Sequence, residues 1–454
     1  MYENKRIHFI GIGGISMSGL ALIVLDHHAT VSGSDIKESE LTEKLEGLGC
    51  TIKYGHHPEL IDDADIVIYT AAVKEDDPEL SRARELKKEV YERADFLGLI
   101  TKEYKNCICI SGTHGKSTTT GMTSLAFLKA NLNPTIHIGA ILEQINGNTL
   151  IGSKDYLVME ACEYVDSFLS FHPTSEIILN IDDDHLDYFK NIDNIKASFR
   201  KFTDLLPENG FLVLNVDDEN AKTLNDVNKR IITYGINNEA NYSAKNIEFN
   251  DVGCAMFDIY LDNKYLIHLN LNVMGKHNIY NALASFALAH QYINNIESIK
   301  EGIEDYKGVK RRYELIGVLE NGIKVYDDYA HHPTEVLSTL NTTKGIKCHE
   351  NWAVFQSHTF SRTKSHYKEF AQILKDFDHI VIAKIYPARE INTFGISEDM
   401  LVDEIKKENP NVVYIDDFDK IVDYLKDNVK DNDLVVTIGA GNIFEVSHKY
   451  ANKK

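Results

Sequence analysis

Residues 112–120, Gly-Thr-His-Gly-Lys-Ser-Thr-Thr-Thr, follow the apolar run Cys107–Ile110 and lead into a helical pattern that reaches about Ala130. Backbone amides gathered at a helix N-terminus hold phosphate oxygens; a lysine there adds a point charge for the β/γ-phosphates, and the next hydroxyl suits Mg²⁺. Lys116 and Ser117 are those two groups, with Gly112, Thr113, His114, Gly115 and Thr118 around them. The common triphosphatase loop, Gly-x-x-x-x-Gly-Lys-Ser/Thr, wants a glycine five places before Gly115. Ile110 stands there, and the glycine comes two places later, at Gly112. The bland reading, a capped helix start with a chance lysine, leaves two glycines, Lys-Ser and a preceding strand as coincidence.

Carboxylates follow this loop at strand ends. Glu160 closes the buried stretch Asp-Tyr-Leu-Val-Met-Glu, and Asp183, Asp184 and His185 come just after a second strand. An acid beyond a strand end near a phosphate loop is a natural Mg²⁺ ligand. One such acid is more often a solvated loop residue; two behind one phosphate loop favour metal. A second glycine turn, Gly-Ile-Gly-Gly-Ile-Ser-Met-Ser-Gly, begins at Gly11. It nearly matches the dinucleotide fingerprint: Gly11 and Gly13 fit, Ser16 takes the third glycine's place, and Gly14 and Gly19 flank it. Its place between strand and helix predicts a diphosphate-binding turn. Asp35 stands near where the NAD ribose acid would be, so this block alone leaves an NAD-dependent oxidoreductase open. A third dense polar stretch, Asp327-Asp328-Tyr-Ala-His331-His332-Pro, opens another helix, whereas His27–His28 and His56–His57 read as surface or packing features.

The elements needed to position these groups alternate as strand and helix in three blocks, so the fold class is α/β. Strands are expected at Ile7–Ile10, Thr30–Ser32, "ADIVIYT", "DYLVME", "EIILNID", "FLVLN", "GIKVYDD", "WAVF", "HIVIA" and "DLVVTI". Residues 241–273 alternate apolar and polar, predicting a small β-rich insertion, and "KHNIYNALASFALAHQY" is a periodic helix. In open α/β sheets ligands sit at the carboxyl ends of strands, where the polar residues above fall. A chain of 454 residues is too long for one core. The net charge of −21 argues against a nucleic-acid partner but not against single nucleotides. No signal peptide or membrane span is expected, and six scattered cysteines without a Cys-x-x-Cys pair read as reduced thiols.

Four stretches taken together resemble the Mur ligase family: "GIGGISMSG", "SGTHGKSTTT", "GVKRRYELIG" and "DDYAHHPTEV", supported by "FQSHTFSRT" and "TIGAGNI". The shortened loop from Gly112 is similar to that family's own phosphate loop. The resemblance covers essentially the whole chain. It implies an N-terminal Rossmann-like UDP-binding domain (1–105), a central P-loop ATPase-like domain with the β-rich insertion (106–314) and a C-terminal Rossmann-like domain for the amino acid (315–454). It implies a cytoplasmic, ATP- and Mg²⁺-dependent amide-forming enzyme of peptidoglycan precursor synthesis. The partners would be UDP-N-acetylmuramate, ATP and L-alanine; a sibling activity attaches a recycled tripeptide to the same sugar nucleotide.

By the same resemblance Gly11, Ile12, Gly13, Gly14, Ser34, Asp35, Thr70 and Ala71 would surround the UDP portion. Asn278, Arg312 and Asp328 would join the phosphate loop around ATP. Ser117, Glu160 and His185 would hold metal. His331, His358 and Arg362 would face the amino acid or reacting carboxylate, and Lys116, Glu160, His185, His331 and Arg362 would be catalytic. The chain departs from the family in reading Glu160-Ala-Cys-Glu-Tyr where many members have Glu-Ala-Asp-Glu-Ser, which leaves the role of Glu163 open, and in placing Ser357 where proline is usual.

Overall fold

Each polar stretch lies at the carboxyl end of a parallel strand in a computed structural model that describes residues 2–250, 252–388, 390–393 and 395–452. Three contiguous stretches each build one sheet. The first contains β1 (Arg6–Ile10), β2 (Thr30–Asp35), β3 (Thr51–Tyr54), β4 (Ile66–Tyr69) and β5 (Glu89–Glu92), ordered β3-β2-β1-β4-β5 and all parallel. The second contains β6 (Asn106–Ser111), β7 (Pro134–Leu142), β8 (Gly147–Leu150), β9 (Ser153–Glu160), β10 (Ser175–Ile178), β11 (Phe211–Asn215), β12 (Arg230–Gly235), β13 (Tyr242–Phe249), β14 (Cys254–Leu261) and β15 (Lys264–Met274). Their order is β15-β14-β13-β12-β11-β10-β6-β9-β7-β8. The third contains β16 (Glu314–Val318), β17 (Lys324–Asp328), β18 (Asn351–Phe355), β19 (His379–Ile382), β20 (Val412–Tyr414) and β21 (Leu434–Ile438), ordered β16-β17-β21-β18-β19-β20. The architecture is thus the expected three-domain α/β fold. The antiparallel edge strands β8 and β16 were not expected, because short edge strands carry little apolar pattern.

The central strands of all three sheets are continuous apolar runs, as strands covered on both faces must be. β4, β6, β11 and β21 are almost wholly buried. By packing the chain forms two compact units: Met1–Lys245 with Ile259–Ile267 and Tyr280–Tyr306, and Asn246–Asp258 with His268–Ile279 and Lys307–Lys454. The first and second domains share one unit and one apolar core, in which Phe9, Leu20 and Phe96 join Cys107, Met159 and Phe168.

Gly19 explains part of that sharing. The helix Ile15–Asp26 lies on β7 and β8, and a Cβ at Gly19 would come within 2.3 Å of Thr149 Oγ1 and 2.7 Å of the His137 ring. Gly19 therefore serves close helix–strand approach rather than the glycine turn it trails. Ser16, at the fingerprint's third position, also faces this contact: its hydroxyl lies 2.9 Å from His137 Nε2. Burial holds the His137 imidazole down to about 4, so it is neutral at neutral pH. Of the histidine pairs, His27 packs edge-on against Tyr2 and the His57 amide donates to Glu79, in keeping with packing roles.

Candidate active site

The phosphate loop is held open by its own backbone and by one neighbouring strand end. Gly115 is left-handed, with φ of +87°, and a Cβ there would lie 2.6 Å from Asn281 Oδ1, so only glycine fits without strain. Asn180, just past β10, closes the loop from the other side: its Oδ1 accepts the His114 amide at 2.8 Å and its Nδ2 donates to the His114 carbonyl at 3.0 Å. Thr113 Oγ1 accepts the Asp182 amide at 2.9 Å, and His114 Nε2 lies 3.1 Å from Asp182. The helix Lys116–Lys129 then starts with no side-chain cap, its first amides pointing into the loop.

Two carboxylates engage the loop's two reactive groups. Lys116 Nζ donates to the carbonyls of Gly112 at 2.6 Å and Thr113 at 3.0 Å, and pairs with both Glu163 oxygens at 3.0 and 3.2 Å. Burial alone would depress this ammonium, but the carboxylates of Glu163 and then Glu160 outweigh it and hold the pKa above the usual lysine range. The Ser117 hydroxyl donates to Glu160 at 2.8 Å, and the Gly139 amide donates to the same oxygen at 3.1 Å. His185 begins a short helix with a left-handed backbone, tilts its ring against Tyr164 at 4.5 Å, and bonds through its amide to Asp184 at 2.7 Å. The structure thus brings Lys116, Ser117 and Glu160 together directly and adds Glu163, while His185 bonds Asp184 rather than Glu160.

In the first domain Asp35 Oδ2 accepts the Gly13 amide at 2.8 Å, and the Ser34 carbonyl accepts the Gly11 and Ile12 amides at 2.8 and 3.0 Å. Gly14 caps the following helix. Ile12 contributes backbone to this turn; its side chain is wholly buried beneath Gly33. Ser34 donates to the buried carboxylate of Glu79 at 2.6 Å, which also faces His8 Nε2 at 3.1 Å. Thr70 ends beside Gly11 and Ala71 is exposed next to it.

In the second unit the carboxyl ends of β17, β18 and β21 carry the third group. Of the paired arginines, Arg311 is structural: it binds buried Asp327 at 3.0 Å and the Gly439 carbonyl at 2.7 Å. Arg312 instead meets Glu335 at 3.3 Å and lies over the Tyr329 ring. Asp328 accepts the Thr339 hydroxyl at 2.5 Å, and burial pushes its carboxyl up to about 6. His331 lies 3.3 Å from Glu335, its ring 6.0 Å from that of His358, and His358 stands 3.3 Å from Arg362 and stacks on Tyr386. His332 caps the helix Pro333–Lys344. Ser357 bonds Thr363 at 2.6 Å, anchoring the strand-to-helix turn. Asn278 uses its amide to donate to the Met274 carbonyl at 2.7 Å.

Four residues at these sites escape sequence reasoning. Asn180 and Asp182 sit at the end of β10, where the strand-end rule could have found them. Asn281 lies one helical turn beyond Asn278, on the same face. Glu335 is the acid of a capping box, which sequence reads as a local device.

The sheets and sites define a three-domain α/β protein with two glycine turns between strand and helix, one after β1 and one after β6. Three family descriptions match in chain order: Mur ligase family, catalytic domain (6–105); Mur ligase middle domain (110–289); and Mur ligase, glutamate ligase domain (311–441). The chain belongs to the Mur ligase family. It is 50% identical, over 99% of its length and 96% of the relative's, to the UDP-N-acetylmuramate–L-alanine ligase of Acetivibrio thermocellus. It is 49% identical to the protein of the same name from Caldanaerobacter subterraneus subsp. tengcongensis, over 99% and 98%. The crystal structure of UDP-N-acetylmuramate-alanine ligase from Thermotoga maritima superposes with a TM-score of 0.85 at 28% identity, covering 99% of this chain and 98% of that one. Membership across all three domains leaves no role for an NAD-dependent oxidoreductase.

Proposed function

We propose that this chain joins L-alanine to the lactyl carboxylate of UDP-N-acetylmuramate and splits ATP to ADP and phosphate, a cytoplasmic step of peptidoglycan precursor synthesis. The observation that carries the reading is the pairing of Lys116 and Ser117 with two acids in a chain half identical, end to end, to alanine ligases. No helix of the described residues is long and apolar enough to cross a membrane. The domains would divide at 105/106 and 314/315, binding the UDP portion, ATP and the amino acid in that order.

A carboxylate is a poor acyl donor because oxide is a poor leaving group. In the proposed sequence a lactyl carboxylate oxygen attacks the γ-phosphorus, the bond to the β-phosphate oxygen breaks, and ADP leaves. The alanine nitrogen then attacks the acyl carbon, loses a proton, and phosphate departs with the carboxylate oxygen. Lys116 would exchange Glu163 for the transferring phosphoryl group, stabilising the charge that spreads over its oxygens. Gly112–Thr118 would cradle the triphosphate, with Asn278, Arg312 and Asp328 completing the ATP site. Gly11–Gly14, Ser34, Asp35, Thr70 and Ala71 would hold the UDP portion. His331, His358 and Arg362 would orient the amino acid and the reacting carboxylate.

Mg²⁺ fits this site because the Ser117 hydroxyl and the Glu160 carboxylate already converge as hard oxygen donors. Ser117 and Glu160, with His185, would hold it, and when bound it supplies positive charge between two anions that otherwise repel. The test is phosphate release from ATP with UDP-N-acetylmuramate and each amino acid in turn, using substrate labelled with ¹⁸O in the lactyl carboxylate. L-alanine should stimulate release, and the label should appear in inorganic phosphate. Unlabelled phosphate would refute the acyl phosphate, and a preference for a tripeptide amine would move the chain to the recycling sibling.

A further inference from the structure

The third sheet carries a cluster of metal-ligating side chains at the end opposite the groups described above. His349 and Glu350 precede β18, His379 opens β19, and Asp433 immediately precedes β21, three adjacent parallel strands. One ligand atom from each of His349, Glu350 and Asp433 lies within 4.8 Å of the others. His349 Nδ1 is 2.9 Å from Asp433 Oδ1, and His379 Nε2 is 3.2 Å from Glu350 Oε2. β18 and β21 are five residues long, so roughly 17 Å of strand separates this cluster from Asp328, His358 and Arg362.

Asp433 is pre-organised. Its side chain is wholly buried and accepts the amides of Lys430 at 2.9 Å and Glu350 at 3.0 Å and the Trp352 indole N–H at 3.0 Å. His349 and Glu350 are partly exposed, which gives an ion an entry path. Lys430 Nζ stands 3.6 Å from Glu350 on a solvent-exposed stem, so it can withdraw when another cation arrives. The His349 ring can move its proton to the outer nitrogen, leaving Nδ1 as a lone-pair donor.

We propose that the amino ends of β18, β19 and β21 form a binding site for a divalent transition-metal ion of Zn²⁺ type, ligated by His349, Glu350 and Asp433 with His379 orienting Glu350. An imidazole with two carboxylates is a borderline donor set, suited to Zn²⁺ or Co²⁺; Mg²⁺ and Ca²⁺ want all-oxygen shells with more ligands. None of these ligands is among the residues proposed above for Mg²⁺.

The cluster contains its own reporter. Trp352 is the chain's single tryptophan; its ring stacks on His379 at 3.9 Å and its N–H bonds Asp433. Co²⁺ added to the full chain in excess Mg²⁺ should quench Trp352 fluorescence saturably at one equivalent, and Zn²⁺ should reverse the quench. The double variant His349→Ala/Glu350→Gln should weaken the Co²⁺ midpoint about tenfold or more. Both substituted side chains reach the surface and Asp433 keeps its three N–H donors, so the variant should stay folded, with ligase turnover in Mg²⁺ alone unchanged. Absence of a saturable quench up to millimolar Co²⁺, or an unaltered midpoint in the folded double variant, would overturn the proposal.

Discussion

Removal of the Lys116 charge tests the phosphate site most directly, provided two effects of the substitution are separated. Lys116 holds Glu163, whose side chain is only 2% exposed, at 3.0 and 3.2 Å. Lys116→Ala leaves that carboxylate buried without its cation, which costs about 3–5 kcal/mol of stability before any chemistry is considered. The catalytic loss is distinct: one preorganised electrostatic contact to a transferring phosphoryl group is worth roughly 10²-fold in turnover, near 2.7 kcal/mol. The second substitution, Glu163→Gln, removes the orphaned charge. Lys116→Ala should therefore lower both the thermal midpoint and phosphate release, whereas Lys116→Ala/Glu163→Gln should regain most of the midpoint and none of the turnover. Phosphate release and differential scanning fluorimetry on the same preparations give both numbers. Near-normal turnover in either folded variant would refute the assignment of Lys116 to ATP, and a double variant no more stable than the single one would refute the ion-pair account.

Three further outcomes follow from the geometry. Gly13→Val should weaken UDP-N-acetylmuramate while leaving ATP nearly unchanged, because a Cβ at Gly13 would lie 2.9 Å from the Asp35 oxygen that holds its amide; calorimetry with each ligand checks this, and loss of ATP alone would reverse the domain roles. Asp328 titrates near 6 in the folded chain against about 3.9 unfolded, so its contribution to stability is full below about pH 4 and is lost as pH rises through 6. Asp328→Asn should flatten that part of the stability–pH curve in chemical denaturation, and an unchanged curve would contradict the burial argument. His137 has the opposite sign: titrating near 4 against about 6.5 unfolded, its contribution is present above pH 6.5 and lost as pH falls toward 4. His137→Asn should remove that acid-side loss, and a variant as acid-sensitive as the wild type would show that the ring is not what fails.

The three-block α/β fold was legible because buried parallel strands are long apolar runs and the phosphate turns break them with glycine. The loop at Gly112 could be read from residue types alone, and Lys116, Ser117 and Glu160 lie together as expected. Edge strands β8 and β16 could not be read: β8 is four residues long and mostly polar though buried, and β16 is short and largely solvated. Glu163 was visible but ambiguous: its pairing with Lys116 depends on where the turn after β9 carries it, which no local pattern encodes. Asn180 and Asn281 reach the loop from β10 and from the helix His277–Ala289, and such long-range polar contacts leave no periodic trace. Gly19 was read as part of a glycine turn because helix–strand approach and anion binding ask for the same residue.

Gly19 also sets a length scale. With no side chain at Gly19, the helix Ile15–Asp26 comes down directly onto His137 and Thr149 of strands β7 and β8, and Ser16 joins His137 in the same contact. That helix begins at the glycine turn from Gly11, and β7 belongs to the same sheet as the strand feeding the loop at Gly112. The two glycine turns are therefore joined through one packed contact. Under the proposed function, a sugar nucleotide held by its diphosphate at the first turn would present its carboxylate to the second at a reach set by its own covalent length, so the spacing of the turns would bear on which donor reacts.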